Sequence, residues 1–198
     1  MTRLEELGER IDSRHAQIGV IGLGYVGLPL ALEFAKAGFR VTGFELDEEK
    51  VRAINGGESY LEDISPEVVQ AARKAGKIEA TLDYGALSKA DVINVCVPTP
   101  LTKTKDPDVS HIVNAVEEIR KRLRSGQLVI LGSTTYPGTT HDLFIPLLEE
   151  SGLEVGVDFS VAFAPERIDP GHQEFPLHRV PTVVGGETPH CSELCAKV

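Results

Sequence analysis

At 198 residues, 41% apolar and 6% aromatic, the chain is long enough for one substantial domain with a hydrophobic core, and two full domains would be cramped. Twenty Lys and Arg against 30 Asp and Glu give a formal charge of −10, which repels polyanions such as DNA and acidic membrane surfaces. A single anionic ligand is not excluded, because backbone N–H groups at a helix N-terminus bind phosphate whatever the net charge.

The spacing predicts a leading amphipathic helix over Thr2 to Ser13, with Leu4, Leu7 and Ile11 on one face, rather than a signal peptide. Ala16 to Ile21 reads as a buried strand, followed by a glycine-rich turn and an apolar-faced helix over Val26 to Ala37. Phe39 to Glu45 is a second strand, Asp47 to Ile54 a short helix stopped by Asn55-Gly56-Gly57, and Ser65-Pro66 opens a helix to about Lys74. Lys77 to Thr81 reads as a short strand, and Asp91 to Val97 as a central strand, since continuous apolar runs suit parallel strands covered on both faces. Asp106-Pro107 is expected to cap a helix carrying Val109, Ile112, Val113 and Val116 and ending near Ser125-Gly126. Beyond it the pattern predicts a strand at Leu128 to Leu131, a helix at His141 to Glu150 and a strand at Phe159 to Phe163. Thr182 to Val184 reads as a last strand, Gly185-Gly186 as a turn, and Pro189 onward as a helix.

Strands alternating with helices imply an α/β fold, a doubly wound, mostly parallel sheet in residues 15–198 led by a helix in 1–14. No apolar run approaches membrane-spanning length. Cys96, Cys191 and Cys195 are an odd, sparse set that fits free thiols in a reducing compartment, so the expected location is the cytoplasm.

Gly22-Leu23-Gly24-Tyr25-Val26-Gly27 is G-x-G-x-x-G placed between a strand and a helix, and the acidic residue Glu45 ends the next strand, which together make the dinucleotide fingerprint. Gly22 permits the tight turn, Gly24 lets the backbone approach a diphosphate, and Gly27 lets the helix sit close to the strand. Glu45 is expected to accept the adenosine ribose hydroxyls and to repel the extra phosphate of NADP, so the cofactor is expected to be NAD. Lys50, a helical turn further on, either touches the ribose or a phosphate or is a solvated surface lysine. No metal site is expected. Cys191 and Cys195 lack a partnered His pair, and His15, His111, His141, His172, His178 and His190 show no ligand spacing.

Four segments, GLGYVGLPLA at 22–31, CVPTPL at 96–101, STTYPGTT at 133–140 and APERIDPG at 164–171, resemble the UDP-glucose and GDP-mannose dehydrogenase family. The last two are most similar to its UDP-N-acetylglucosamine 6-dehydrogenases. The resemblance implies oxidation of a sugar C6 alcohol to a carboxylate by two NAD-dependent hydride transfers, through a cysteine-bound thiohemiacetal and thioester. Carried over by position, Val97, Pro98 and Thr99 sit on a loop beside the cofactor and Ser133 and Thr134 near the nicotinamide. Thr134 resembles the threonine that orients the hydrolytic water, and Glu166 the acid/base glutamate. Pro170 stands where UDP-glucose-type members carry a second glutamate, which argues against glucose, with Asp169 available to take over part of that role. Gly132 stands where many relatives have an acidic residue.

The resemblance places the nucleophilic cysteine, and a lysine and an asparagine that stabilise the oxyanion, in a part that would follow Val198. The chain is therefore expected to bind NAD without turning over by itself, the full-length protein to be a homodimer acting on a UDP-sugar, and this portion to be monomeric. The competing readings are a UDP-glucose dehydrogenase portion and a stand-alone NAD-binding module. A short-chain dehydrogenase is disfavoured because no Tyr-x-x-x-Lys pair is present.

Overall fold

The computed structural model describes residues 2–166 and 181–198. Helix α1 (Arg3–Asp12) opens with a reciprocal capping box, in which Thr2 accepts from the Glu5 N–H and the Glu5 carboxylate accepts from the Thr2 N–H. Its apolar stripe of Leu4, Leu7 and Ile11 is buried in the same core as the sheet. Strand β1 (Gln17–Ile21) leads through the glycine turn into α2 (Gly27–Lys36), and β2 (Arg40–Phe44) into α3 (Glu48–Gly56), whose first turn is capped by the Asp47 carboxylate. After α4 (Pro66–Lys74) and β3 (Ile78–Thr81) comes a 3-10 turn over Tyr84–Lys89 that the pattern did not announce, opened by Asp83 accepting from the Gly85 N–H.

The second half runs β4 (Val92–Val95), α5 (Ser110–Arg120), β5 (Leu128–Leu131), α6 (Ile145–Glu149) and β6 (Ser160–Phe163), then β7 (Gly185–Gly186) and α7 (Pro189–Ala196). Three expectations are corrected here. Asp106-Pro107 does not cap α5. Asp106 closes a tight loop with Thr102 and Thr104, while Asp108 accepts from the Ser110 N–H and the helix starts there, ending at Arg120. The segment after Gly138 is not a uniform helix, because Pro146 has no N–H to give and a wide turn over Thr140–Phe144 precedes α6. Finally, the paired residues near the end are Gly185 and Gly186 rather than Thr182 to Val184. A Cβ on Gly186 would lie 2.2 Å from the Ser192 nitrogen, so only glycine lets this strand pass under α7.

The seven strands lie in the order β3-β2-β1-β4-β5-β6-β7, parallel throughout except for the β6–β7 pair. Successive strand residues feed opposite cores, as a period of two requires. Leu128 and Ile130 join α1, α2 and α7, while Val129 and Leu131 join α5 and α6. The register sets Phe44, Ile21, Val95, Leu131 and Phe163 in one row. The residues that follow them, Glu45, Gly22, Cys96, Gly132 and Ala164, therefore rim the carboxyl edge of the sheet. The chain starts at β1, winds outward to β3, then returns to place β4 on the other side of β1. Their diverging connections open a crevice at that edge.

At the opposite edge Asp91, 1% exposed, takes hydrogen bonds from Arg10 Nη1 at 2.7 Å, Arg124 Nη2 at 2.8 Å and the Gln17 N–H at 2.8 Å. Arg10 belongs to α1, so this carboxylate ties the leading helix to the sheet.

Candidate functional site

The crevice at the carboxyl edge is a cleft of about 780 Å³. Its floor begins at Gly22, whose φ of 87° is left-handed and whose missing Cβ would lie 2.6 Å from the Cys96 carbonyl oxygen. A Cβ on Gly27 would come within 1.8 Å of the Gly22 oxygen, so α2 can start this close to the turn only with glycine there. Gly24 is different, for nothing among the described residues lies within 4 Å of where its Cβ would be. Internal packing does not demand glycine at 24. An unobstructed approach from the cleft does.

Helix α2 begins without a side-chain cap. The N–H groups of Gly24, Tyr25 and Val26 meet no protein acceptor among the described residues, and all three residues line the cleft. Unused donors at the positive end of a helix dipole fit a diphosphate.

Glu45 stands beside them. Its Oε2 accepts from the Leu23 N–H at 3.1 Å, its Oε1 from the Leu46 N–H at 2.8 Å, and the Lys50 ammonium lies 3.6 Å away. The carboxylate thus sits at the mouth of the glycine turn, with 13% of its side chain exposed, placed for the hydroxyls of a ribose. Lys50 also lines the cleft and is paired, so it is neither freely solvated nor free to act as an isolated phosphate ligand.

On the far side Val97, Pro98, Thr99, Ser133, Thr134 and Glu166 all line the same cleft. The Thr99 hydroxyl donates to the Thr134 carbonyl at 2.6 Å, which joins the loop after β4 to the loop after β5. The Ser133 hydroxyl is turned to the carbonyls of Val97 at 2.8 Å and Val95 at 3.2 Å, so it stitches the two strand ends together. The Glu166 N–H donates to the Gly132 carbonyl at 3.3 Å, which anchors the acidic residue beside β5. Of the fingerprint residues, Leu23 and Gly27 do not line the cleft. Leu23 is buried, its side chain lying over Gly43, and Gly27 serves the close packing of α2. Asp169, Pro170, His172 and His178 lie outside the described residues.

The chain pattern did not single out Tyr84 or the α5 residues Asn114 and Glu118, which also line the cleft with His111, a residue it considered only as a metal ligand and set aside. A signal for the latter existed. His111, Asn114 and Glu118 fall at i, i+3 and i+7, a polar stripe on the helix that follows a central strand. Burial, then the charges of Glu45 and Glu118, push the Tyr84 phenol up to about 12. Cys96 borders the cleft, but burial and then the Glu166 charge push its thiol far above the usual range, which makes it a poor nucleophile. Burial, then Cys191, raises Cys195 to about 12. Among the described residues, no cluster of three or more His, Cys, Asp or Glu is placed to hold a metal, and no helix is long and apolar enough to cross a membrane.

A glycine turn with unused amide donors at the switch point of this strand order, closed by an acidic residue on the neighbouring strand, defines a Rossmann-type dinucleotide-binding domain. The sequence model of the UDP-glucose/GDP-mannose dehydrogenase family, NAD binding domain, matches residues 16–198, and the chain belongs to that family as its NAD-binding domain. It is 39% identical to a UDP-N-acetyl-D-glucosamine 6-dehydrogenase from Pseudomonas aeruginosa, over 90% of this chain and 42% of that protein. It is 36% identical to a UDP-N-acetyl-D-mannosamine dehydrogenase from Pyrococcus horikoshii, over 92% and 44%. Among solved structures, an NDP-N-acetyl-D-galactosaminuronic acid dehydrogenase from Methanosarcina mazei superposes with a TM-score of 0.86 at 34% identity, covering 100% of this chain and 44% of that one. The chain thus spans less than half the length of the relatives it matches.

Proposed function

We propose that this chain is the NAD-binding part of a nucleotide-sugar 6-dehydrogenase whose substrate is a UDP-N-acetylhexosamine such as UDP-N-acetylglucosamine. The observation that carries the cofactor half of this reading is the set of three unused N–H donors at the start of α2, facing the cleft beside the Glu45 carboxylate. The substrate half rests on the names of the relatives and on the STTYPGTT and APERIDPG segments.

In this reading the amides of Gly24, Tyr25 and Val26 hold the diphosphate and Glu45 accepts from the ribose hydroxyls. Bound NAD supplies a hydride acceptor. Val97, Pro98 and Thr99 pass along the cofactor, Thr134 holds the hydrolytic water, and Glu166 takes a proton from that water as it attacks. The cysteine that carries the substrate, and the groups that grip the UDP-sugar, belong to the remainder of the protein. The full-length protein is then a homodimer, and a reducing cytoplasm suits its buried thiols.

Calorimetric titration of the 198-residue chain tests this. NAD is expected to bind and NADP to bind about five- to tenfold more weakly, the low end of a carboxylate–phosphate repulsion because Lys50 offsets part of the Glu45 charge. Glu45→Gln should weaken NAD binding and remove most of that preference. Sustained NADH production from UDP-N-acetylglucosamine by this chain alone would refute the division of labour.

A further inference from the structure

Leu23 does not line the cleft, yet the two peptide groups that flank it are both held by distant side chains. Its N–H donates to Glu45 Oε2 at 3.1 Å, and its carbonyl accepts from the Tyr60 hydroxyl, brought in from the segment after α3. The Leu23 carbonyl and the Gly24 N–H belong to one planar trans peptide, so they point in opposite directions. A donor that fixes the carbonyl from behind therefore fixes where the Gly24 N–H aims. That N–H is one of the three unused donors facing the cleft.

The ring of Tyr60 has a second contact. Lys50 Nζ lies 5.7 Å from the ring centroid, within reach of a cation–π attraction, and 3.6 Å from Glu45 Oε2. The groups close a circuit, from Leu23 to Glu45, Glu45 to Lys50, Lys50 to the Tyr60 ring, and the Tyr60 hydroxyl back to Leu23. One end of this circuit is the turn for the diphosphate and the other is the carboxylate for the ribose.

We propose that Tyr60 is a positioning residue for the dinucleotide, its hydroxyl aiming the Gly24 N–H at the diphosphate and its ring keeping Lys50 against Glu45. Tyr60 lies outside the glycine fingerprint and outside all four segments that carry the family resemblance. Burial, followed by the charges of Glu45 and Asp47, raises its pKa well above the ordinary phenol range. The hydroxyl therefore remains a donor throughout the physiological range.

The inference rests on the reading that this cleft takes NAD, and the test separates the two. Affinities of the 198-residue chain and of Tyr60→Phe are measured for NAD, ADP-ribose and adenosine, with thermal melts alongside. The phenyl ring keeps its place beside Lys50 and only the hydrogen bond is lost. NAD and ADP-ribose, which carry the diphosphate, should then bind about three- to tenfold more weakly, the worth of one hydrogen bond. Adenosine, which reaches only the ribose end, should bind as before. A general loosening of the fold would weaken all three alike, and that result overturns the proposal. Equal NAD affinity of the two proteins overturns it as well. Absence of NAD binding by the unmodified chain sinks the cofactor reading and this inference together. As a measurement free of ligand, exchange of the Leu23 amide proton, which Glu45 holds in the same turn, should quicken in Tyr60→Phe, and unchanged exchange counts against the proposal.

Discussion

The two edges of the sheet each hold a carboxylate at a strand end, and the two are used in opposite ways. Asp91 at the amino edge is buried and saturated by two guanidinium groups and a backbone N–H. Glu45 at the carboxyl edge takes N–H bonds from the turn and keeps part of its surface open to a cleft where the N–H groups of Gly24, Tyr25 and Val26 meet no acceptor among the described residues. Satisfaction of hydrogen bonds within the chain marks the first as structural. Donors left over beside the second, on half-buried and exposed residues at the start of a helix, leave a place for an anion from outside.

The glycines at the carboxyl edge offer the largest effect with which to break this contrast. Gly27→Ala drives a Cβ into the Gly22 oxygen and should both destabilise the fold by about 1–3 kcal/mol and abolish NAD binding. Gly24→Ala meets no atom of the described residues, so its stability should stay within about 0.5 kcal/mol of the parent. Its NAD affinity should nevertheless fall about five- to hundredfold through crowding of the diphosphate. Equal affinity in Gly24→Ala would place the diphosphate elsewhere.

Asp91→Ala should do the reverse. Removing the carboxylate leaves the Gln17 N–H and two half-exposed guanidinium groups without it, at a cost of about 2–4 kcal/mol in urea unfolding. NAD affinity of the folded fraction should be unchanged. A loss of affinity matching that of Gly24→Ala would show that the two edges are coupled.

The smallest effect is confined to alkaline solution. Tyr84 has its pKa raised to about 12 from 10 by burial and by Glu45 and Glu118, and Tyr60 is raised further still. Folded tyrosines then hold protons that the unfolded chain gives up, so stability is full below pH 10 and is lost as the pH rises through about 12. Phenolate absorbance followed against unfolding should show the two together. Ionisation of both phenols near pH 10 without loss of structure would contradict their burial beside the cleft.

The order of strands and helices was legible because hydrophobic period and turn residues are local. The run at Asp91 to Val97 and the glycine fingerprint placed β4, β1 and the turn where the structure has them. Misreadings arose where a distant partner decided the matter. Asp106 spends its carboxylate on the Thr104 hydroxyl and its N–H on the Thr102 hydroxyl instead of a helix end, and Gly185-Gly186 is drawn into pairing by β6 and the overlying α7. Of the site, Gly22, Gly24 and Glu45 were visible through spacing, because a strand, a turn and a helix fix their separation along the chain. Tyr84 and the α5 stripe were not, for nothing local says which helix face will border a cleft.

The sequence by itself determined the doubly wound class, the glycine turn between strand and helix and the acidic residue opposite it, all consequences of short-range geometry and of glycine's missing side chain. Only the tertiary structure decided that Leu23 turns inward, that Lys50 is held by Glu45 and that Tyr60 reaches the turn from 37 residues away. Those outcomes depend on which surfaces meet when the sheet closes, and a contact between remote segments leaves no period in the chain to read.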